Sequence, residues 1–274
     1  AQGMAPNFVQ RARGATVWDV DGNEWLDFPM ALGPVILGHR HPVVDEAIAR
    51  QLQDGITFTL PHELEVEVAE RIVASVPCAE MVRFAKSGSD ATSAAVRLAR
   101  AITGRDHVIV AGYHGWHDWY VGSTSRHLGV PDAERELVHT VAPFDVDALH
   151  AALDANAGRL AAVVLEPIGA IEPDPSYLRA AVDLTRAAGA LAVFDEVISG
   201  FRVAMGGAQE RYGVTPDLAA FGKALGNGMP ISALAGPPGH IFVLVDRVFS
   251  RTPSGEAGLP GPPPYHSAKR ARQA

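Results

Sequence analysis

Lys223 stands in Phe221-Gly222-Lys223-Ala224-Leu225-Gly226-Asn227-Gly228, among small and apolar neighbours. Desolvation there disfavours an ammonium ion and leaves an amine able to attack carbonyl carbon. A surface lysine that snorkels to water would have the same neighbours. Asp195 completes the apolar run from Leu191 to Phe194. A carboxylate so placed needs a partner, because an unpaired buried charge costs several kcal/mol; Arg202 and a helix cap are both candidates. Ser87-Gly88-Ser89-Asp90 opens a helical pattern whose first N–H groups and positive dipole end suit an anion. The same residues make an ordinary serine cap. Glu166 follows another apolar run, and Gly112-Tyr113-His114-Gly115-Trp116-His117-Asp118-Trp119 brackets aromatic rings with glycine. Such rings stack on a planar ligand or bury under a loop. The pairs His114/His117 and His39/His41 raise a metal reading, but no carboxylate-rich or thiol partner set completes a shell, so these histidines are expected as hydrogen-bond donors and no metal is expected.

The elements that carry these groups are legible. Short apolar runs at Met81 to Ala85, Val108 to Ala111, Ala161 to Leu165, Leu191 to Phe194 and Leu218 to Phe221 have the length of buried strands. Helical patterns lie between several of them: Ala91, Ala94, Ala95, Leu98 and Ile102 in one, Tyr177 to Ala188 in another. Alternation of this kind predicts an α/β fold, a mostly parallel sheet flanked by helices. Upstream, V-W-D-V and E-W-L-D-F flank Asp21-Gly22-Asn23 and read as a hairpin, Pro42 starts a helix, and helical spacing from His62 to Val76 ends at Pro77. The expected division is 1–54 as hairpin plus helix, 55–236 as the ligand-binding domain, and 237–274 as a disordered tail.

Each candidate group sits just after a strand, on the edge where parallel sheets bind ligands. A helix N-terminus for phosphate, an aromatic plate, a buried carboxylate and a shielded lysine together suit pyridoxal 5'-phosphate. Its aldehyde condenses with a lysine, and its ring nitrogen wants a carboxylate partner. A nicotinamide dehydrogenase is disfavoured, because no G-x-G-x-x-G follows a strand.

Composition bounds the rest. The 274 residues are 47% hydrophobic and 20% charged, which fits a globular chain rather than a disordered one. A net charge of −8 works against a nucleic-acid partner despite the basic Lys269-Arg270-Ala271-Arg272. No run approaches the roughly 18 apolar residues of a membrane helix, so no membrane partner is expected. The single cysteine, Cys78, cannot pair within the chain and suits a reducing, cytoplasmic setting. Residues 237–264 hold seven of the 20 prolines, and no periodic apolar pattern follows Phe249.

Residues 10–236 resemble the class III aminotransferases of the fold type I pyridoxal-phosphate enzymes, including the glutamate-1-semialdehyde aminomutase branch. The motifs are V-W-D-V-D-G-N-E-W-L-D-F, L-G-H-R-H-P from Leu37, S-G-S-D-A from Ser87, G-Y-H-G-W-H-D, V-V-L-E-P-I, V-F-D-E-V-I-S-G-F-R, and P-D-L-A-A-F-G-K-A-L-G-N-G-M-P-I-S-A-L-A-G. The resemblance implies a transaminase acting on a small-molecule amine or amino acid through a Schiff base on Lys223, with Asp195 on the pyridine nitrogen. By the same resemblance Gly88 and Ser89 bind phosphate, Tyr113 and Val197 cover the two ring faces, and Glu166 orients neighbours near the phenolic oxygen. It also implies a homodimer. T-F-T-L-P-H-E-L-E-V-E-V-A from Thr57 is similar to the aminomutase branch, so a 2,1-aminomutase is the alternative. Asp90 stands where the family usually has Glu, and after Gly236 only Val245 to Phe249 and Thr252 echo its pattern. The expectation is a chain without the family's small C-terminal domain, active or an inactive remnant.

Overall fold

A computed structural model describes residues 6–169, 171–243 and 265–266. Strands β1 (Val9–Arg13), β2 (Thr16–Asp19) and β3 (Glu24–Leu26) form a small antiparallel sheet in that order. Its β2–β3 turn is built on Asp19. That carboxylate accepts from the backbone of Asp21 and Asn23, from the Asn23 amide and from the Trp25 indole, at 2.8–3.0 Å.

The main sheet has β4 (Met81–Ala85), β5 (His107–Ala111), β6 (Val138–Thr140), β7 (Leu160–Leu165), β8 (Leu191–Asp195), β9 (Leu218–Phe221), β10 (Ser232–Gly236) and β11 (Tyr265–His266). They lie in the order 11-4-10-9-8-7-5-6. Strands β5 to β9 pair in parallel, whereas β10 runs antiparallel to both β9 and β4. Six strands, β4 to β9, therefore point one way and deliver their carboxyl ends to one edge.

The helices are α1 (Pro42–Asp54), α2 (Glu63–Ser75), α3 (Gly88–Thr103), α4 (Asp118–Val121), α5 (Asp132–Arg135), α6 (Val146–Ala155), α7 (Pro175–Ala187), α8 (Gly207–Tyr212) and α9 (Pro238–Val243). Apolar side chains alternate between the two faces of the sheet. Ile72, Leu149, Leu178, Phe194 and Phe221 pack on one, and Val96, Leu98, Val193, Leu234 and Ile241 on the other. Each fully buried side chain of this size contributes about 1.5–3 kcal/mol, and helices thus cover both faces of the sheet, as a parallel sheet requires.

The segment expected to be disordered, 237–274, contains α9 and β11. Pro238 begins α9, and Ile241, fully buried, anchors it under β10. Strand β11 pairs with Val82 and Met81 of β4. The rest of that segment, with Thr252 and the basic end, lies outside the described residues.

Candidate active site

Ser87 ends the β4 turn with extended backbone. Its hydroxyl accepts from Asp90 N–H at 3.2 Å while the Asp90 carboxylate accepts from Ser87 N–H at 2.8 Å. This reciprocal capping box fixes the start of the 16-residue helix α3 and leaves Gly88 and Ser89 in its first turn. A side chain at Gly88 would meet the Val197 methyls at 2.8 and 2.9 Å, so backbone and Val197 are already in contact. Ser89, nearly buried, accepts from Trp116 N–H at 3.3 Å, and a side chain at Gly115 would strike its hydroxyl.

Asp195, 5% exposed at the end of β8, is held at both oxygens. His114 Nδ1–H donates to Oδ2 at 2.8 Å, and Val197 N–H donates to Oδ1 at 3.1 Å. The His114 ring is fully buried against Trp119 and Tyr120, and Thr92 fixes its backbone carbonyl at 3.0 Å. Arg202, the cation weighed for Asp195, instead donates to the carbonyls of Ile198 (2.9 Å) and Gly33. The difference is geometric: Arg202 follows the turn after β8 and points at the loop carrying Gly33, while His114 follows the neighbouring strand end and faces the carboxylate.

Glu166, directly after β7, accepts from Tyr113 N–H at 2.8 Å. Burial raises its pKa above the ordinary range, more than that bond lowers it. Gly112 has φ +114°, and a side chain there would meet Glu166 Oε2 at 2.6 Å. Lys223 follows β9 with φ +41° at the head of a 3-10 turn. Burial lowers its pKa from 10.5, against the raising influence of Asp195 and then Glu166.

One cavity of about 290 Å³ is lined by Gly88, Ser89, Tyr113, Glu166, Asp195, Val197 and Lys223, the seven residues singled out in the sequence. Thr92, His114, Gly115, Leu32 and Ile198 line it too. The particular tie between His114 and Asp195 was not legible, although G-Y-H-G after a strand is its only signal; Leu32 carried none. Among the described residues no three His, Cys, Asp or Glu are grouped to hold a metal ion.

The donor set fits a flat, phosphorylated carbonyl compound. A long helix opens at Gly88 and Ser89, and Val197, Tyr113, a buried carboxylate and a desolvated amine line the same space. Pyridoxal phosphate meets each requirement.

Comparison with known proteins agrees. The family description "Aminotransferase class-III" matches residues 1–241. The chain is similar to 3-aminobutyryl-CoA aminotransferase of Cloacimonas acidaminovorans, 41% identical over 90% of this chain and 61% of that protein. It is similar to glutamate-1-semialdehyde 2,1-aminomutase of Roseiflexus castenholzii, 46% identical over 86% of this chain and 58% of that protein. Among solved structures, the PLP internal aldimine form of FumI from Sphingopyxis sp. MTA144 superposes with a TM-score of 0.83 at 36% identity, covering 92% of this chain and 61% of that one. An omega-transaminase from Sphaerobacter thermophilus gives 0.81 at 32%, covering 97% and 64%. The chain spans about three-fifths of the length of the curated relatives it matches.

Proposed function

Since the chain belongs to the class-III aminotransferase family, we propose that it is a pyridoxal-phosphate-dependent transaminase acting on a small-molecule amine or amino acid. The observation that carries this reading is the convergence of Asp195 and Lys223, from the ends of adjacent parallel strands, on one cavity beside the first turn of α3. When bound, the cofactor supplies an aldehyde that condenses with amines and a ring that withdraws electrons from the substrate carbon.

The chain's own residues do the rest. Gly88 and Ser89 present backbone N–H groups, and Ser89 its hydroxyl, to the phosphate. Asp195, steadied by His114 and the Val197 amide, holds a proton at the ring nitrogen. Lys223 Nζ binds the aldehyde; lowered basicity keeps more of it as free amine, and once released it takes a proton from the substrate carbon and returns it. Tyr113 and Val197 hold the ring between them. Glu166 fixes Tyr113 through its backbone N–H.

A 2,1-aminomutase is the second reading, favoured by the 46% identity to the Roseiflexus enzyme. In either case we place the chain in the cytoplasm as a homodimer. Helix α1 has no buried residue, and Val43 and Leu52 on it, with Ile56 and Phe58 in the loop that follows, are exposed apolar side chains that a partner subunit would cover.

The test uses the lysine count. The sequence holds three lysines, Lys86, Lys223 and Lys269. Loading with pyridoxal phosphate, borohydride reduction and peptide mapping should place the label on Lys223. Label on Lys86 or Lys269, or none on folded protein, overturns the reading. Spectral exchange with an amine donor and a keto acid then separates net transamination from internal transfer, which needs no acceptor.

A further inference from the structure

His117 is the N-cap of α4, yet its side chain makes no capping bond to that helix. The ring is spent on α3 instead. Nδ1 shares a 2.7 Å hydrogen bond with the Ser93 hydroxyl, which also accepts from the Trp119 indole N–H at 2.8 Å. Nε2 faces Asp90 Oδ1 at 3.7 Å, within reach of charge but not of a hydrogen bond, while the other Asp90 oxygen closes the capping box. Burial acts to raise the Asp90 pKa, but the Ser87 bonds and His117 outweigh it and hold that carboxyl below its ordinary value.

Around this ring the loop that follows β5 is fastened to α3 at several points. Thr92 Oγ1 donates to the His114 carbonyl at 3.0 Å, and Trp116 N–H donates to Ser89 Oγ at 3.3 Å. His114 is anchored by its own burial. Trp116 is not: its side chain is 69% exposed, and Gly115 before it, at φ +103°, offers no side chain to grip. What holds the Trp116 amide over Ser89 is therefore the next residue, His117, through Ser93, four residues after Ser89 and on the same face of α3.

That amide has a chemical consequence. A hydroxyl carries one proton and two acceptor sites. Because Ser89 Oγ accepts from Trp116, its proton is free for an anion in the cavity that Ser89 lines, and the place of the Trp116 donor limits the directions that proton can take. We propose that His117, which lies outside the cavity lining, is a positioning residue for the cofactor phosphate: through Ser93 it keeps Trp116 N–H on Ser89 and so aims the Ser89 hydroxyl at the phosphate. This rests on the reading of the cavity as a pyridoxal-phosphate site.

Two arms test it. In cofactor-free protein, hydrogen exchange of the Trp116 amide reports the fastening; His117→Ala should speed it about tenfold, the loss of one hydrogen bond. His117→Asn, whose amide stands where Nδ1 does, should recover most of the protection, and His117→Gln, which reaches toward Asp90 instead, should not. In the second arm, visible absorbance titrations compare pyridoxal phosphate with pyridoxal, which has the same ring and aldehyde and no phosphate. Each is taken as a ratio to wild type, so that the cyclic hemiacetal of pyridoxal cancels, and borohydride mapping confines the signal to Lys223. His117→Ala should weaken pyridoxal phosphate about tenfold and pyridoxal by less than about twofold, with His117→Asn close to wild type for both. Unchanged exchange at Trp116, equal weakening of the two ligands, or a His117→Asn variant no better than His117→Ala overturns the positioning role. Wild type that takes no label at Lys223 overturns the reading of the cavity and the phosphate role with it, while the exchange arm still decides whether His117 fastens the loop.

Discussion

Replacing His114 by Phe isolates the interaction on which the buried acid depends. Asp195 is 5% exposed, and its two structural donors are His114 Nδ1 at 2.8 Å and Val197 N–H at 3.1 Å. Phenylalanine keeps the ring packing against Trp119 and Tyr120 but removes the first donor. An unsatisfied buried acceptor costs about 1–3 kcal/mol, and an uncompensated buried charge about 3–5 kcal/mol. The ranges meet near 3 kcal/mol, a large share of the 5–15 kcal/mol typical of a folded domain. Urea unfolding of cofactor-free protein, followed by tryptophan fluorescence, should show that loss. Adding Asp195→Leu to His114→Phe should return most of it, since no carboxyl is then left without its partner. Pyridoxal phosphate should also narrow the gap between His114→Phe and wild type, because the ring N–H replaces the missing donor. A cost below about 1 kcal/mol, or a double variant as unstable as His114→Phe alone, refutes the argument that this pair is what allows Asp195 to be buried.

Gly88→Ala puts a methyl within 2.9 Å of both Val197 methyls, and β-branched Val197 has little rotamer freedom to yield. Affinity for pyridoxal phosphate, read from visible absorbance, should fall at least tenfold, about 1.4 kcal/mol, and Val197→Ala in the same chain should restore most of it. Cys78 is buried, which pushes its thiol pKa up to about 12. Native protein should therefore resist a thiol reagent that labels the unfolded chain at once; rapid native labelling would contradict that burial. Glu166 has a native pKa raised above its ordinary 4.5, chiefly by burial. The native state therefore binds more protons than the unfolded state between 4.5 and the raised value, and stability should fall as pH rises through that window. Glu166→Gln should flatten part of this slope in urea titrations at stepped pH. Glu196, also raised by burial, contributes to the slope in the same direction.

The strands most legible in the sequence are those buried on both faces by large side chains. Leu160–Leu165 and the stretch from Val108 to Ala111 in β5 each read as an unbroken apolar run. Strand β10 is buried just as fully, but Ser232-Ala233-Leu234-Ala235-Gly236 has too little apolar bulk to stand out. It exists because β4 and β9 both present it with pairing partners, a long-range cause that a local window cannot contain. The three residues of β6 fall below the length at which alternation is meaningful. The site divides along the same line. Lys223, Asp195 and the Ser87 cap each follow directly from a strand end, so position along the chain reveals them. His114 and Arg202 matter through partners distant in sequence, Asp195 and Gly33, and Leu32 through the cavity it shares with Lys223.

That division explains why adjacent acids in Asp195-Glu196 do unlike work. A strand turns successive side chains to opposite faces, so Asp195 ends in the cavity while Glu196, fully buried, turns away from it. Glu196 accepts from Ser199 Oγ at 2.5 Å and from Ala208 N–H at 2.7 Å, closing the turn after β8 against the first turn of α8. A side chain at Gly207, φ +72°, would strike that carboxylate, so the glycine is needed for the approach. The loop so closed carries Val197, Ile198 and Arg202, two walls of the cavity and the clamp on Gly33. Losing Glu196 should therefore loosen the site without removing any group that lines it. Glu196→Gln, which keeps an acceptor oxygen but places an amide among backbone donors, should weaken pyridoxal-phosphate binding and speed chymotrypsin cleavage after Leu32, in the loop that Arg202 holds, together, whereas Asp195→Asn should weaken binding and leave cleavage unchanged. If the two variants behave alike in both assays, the two acids are not separated by face.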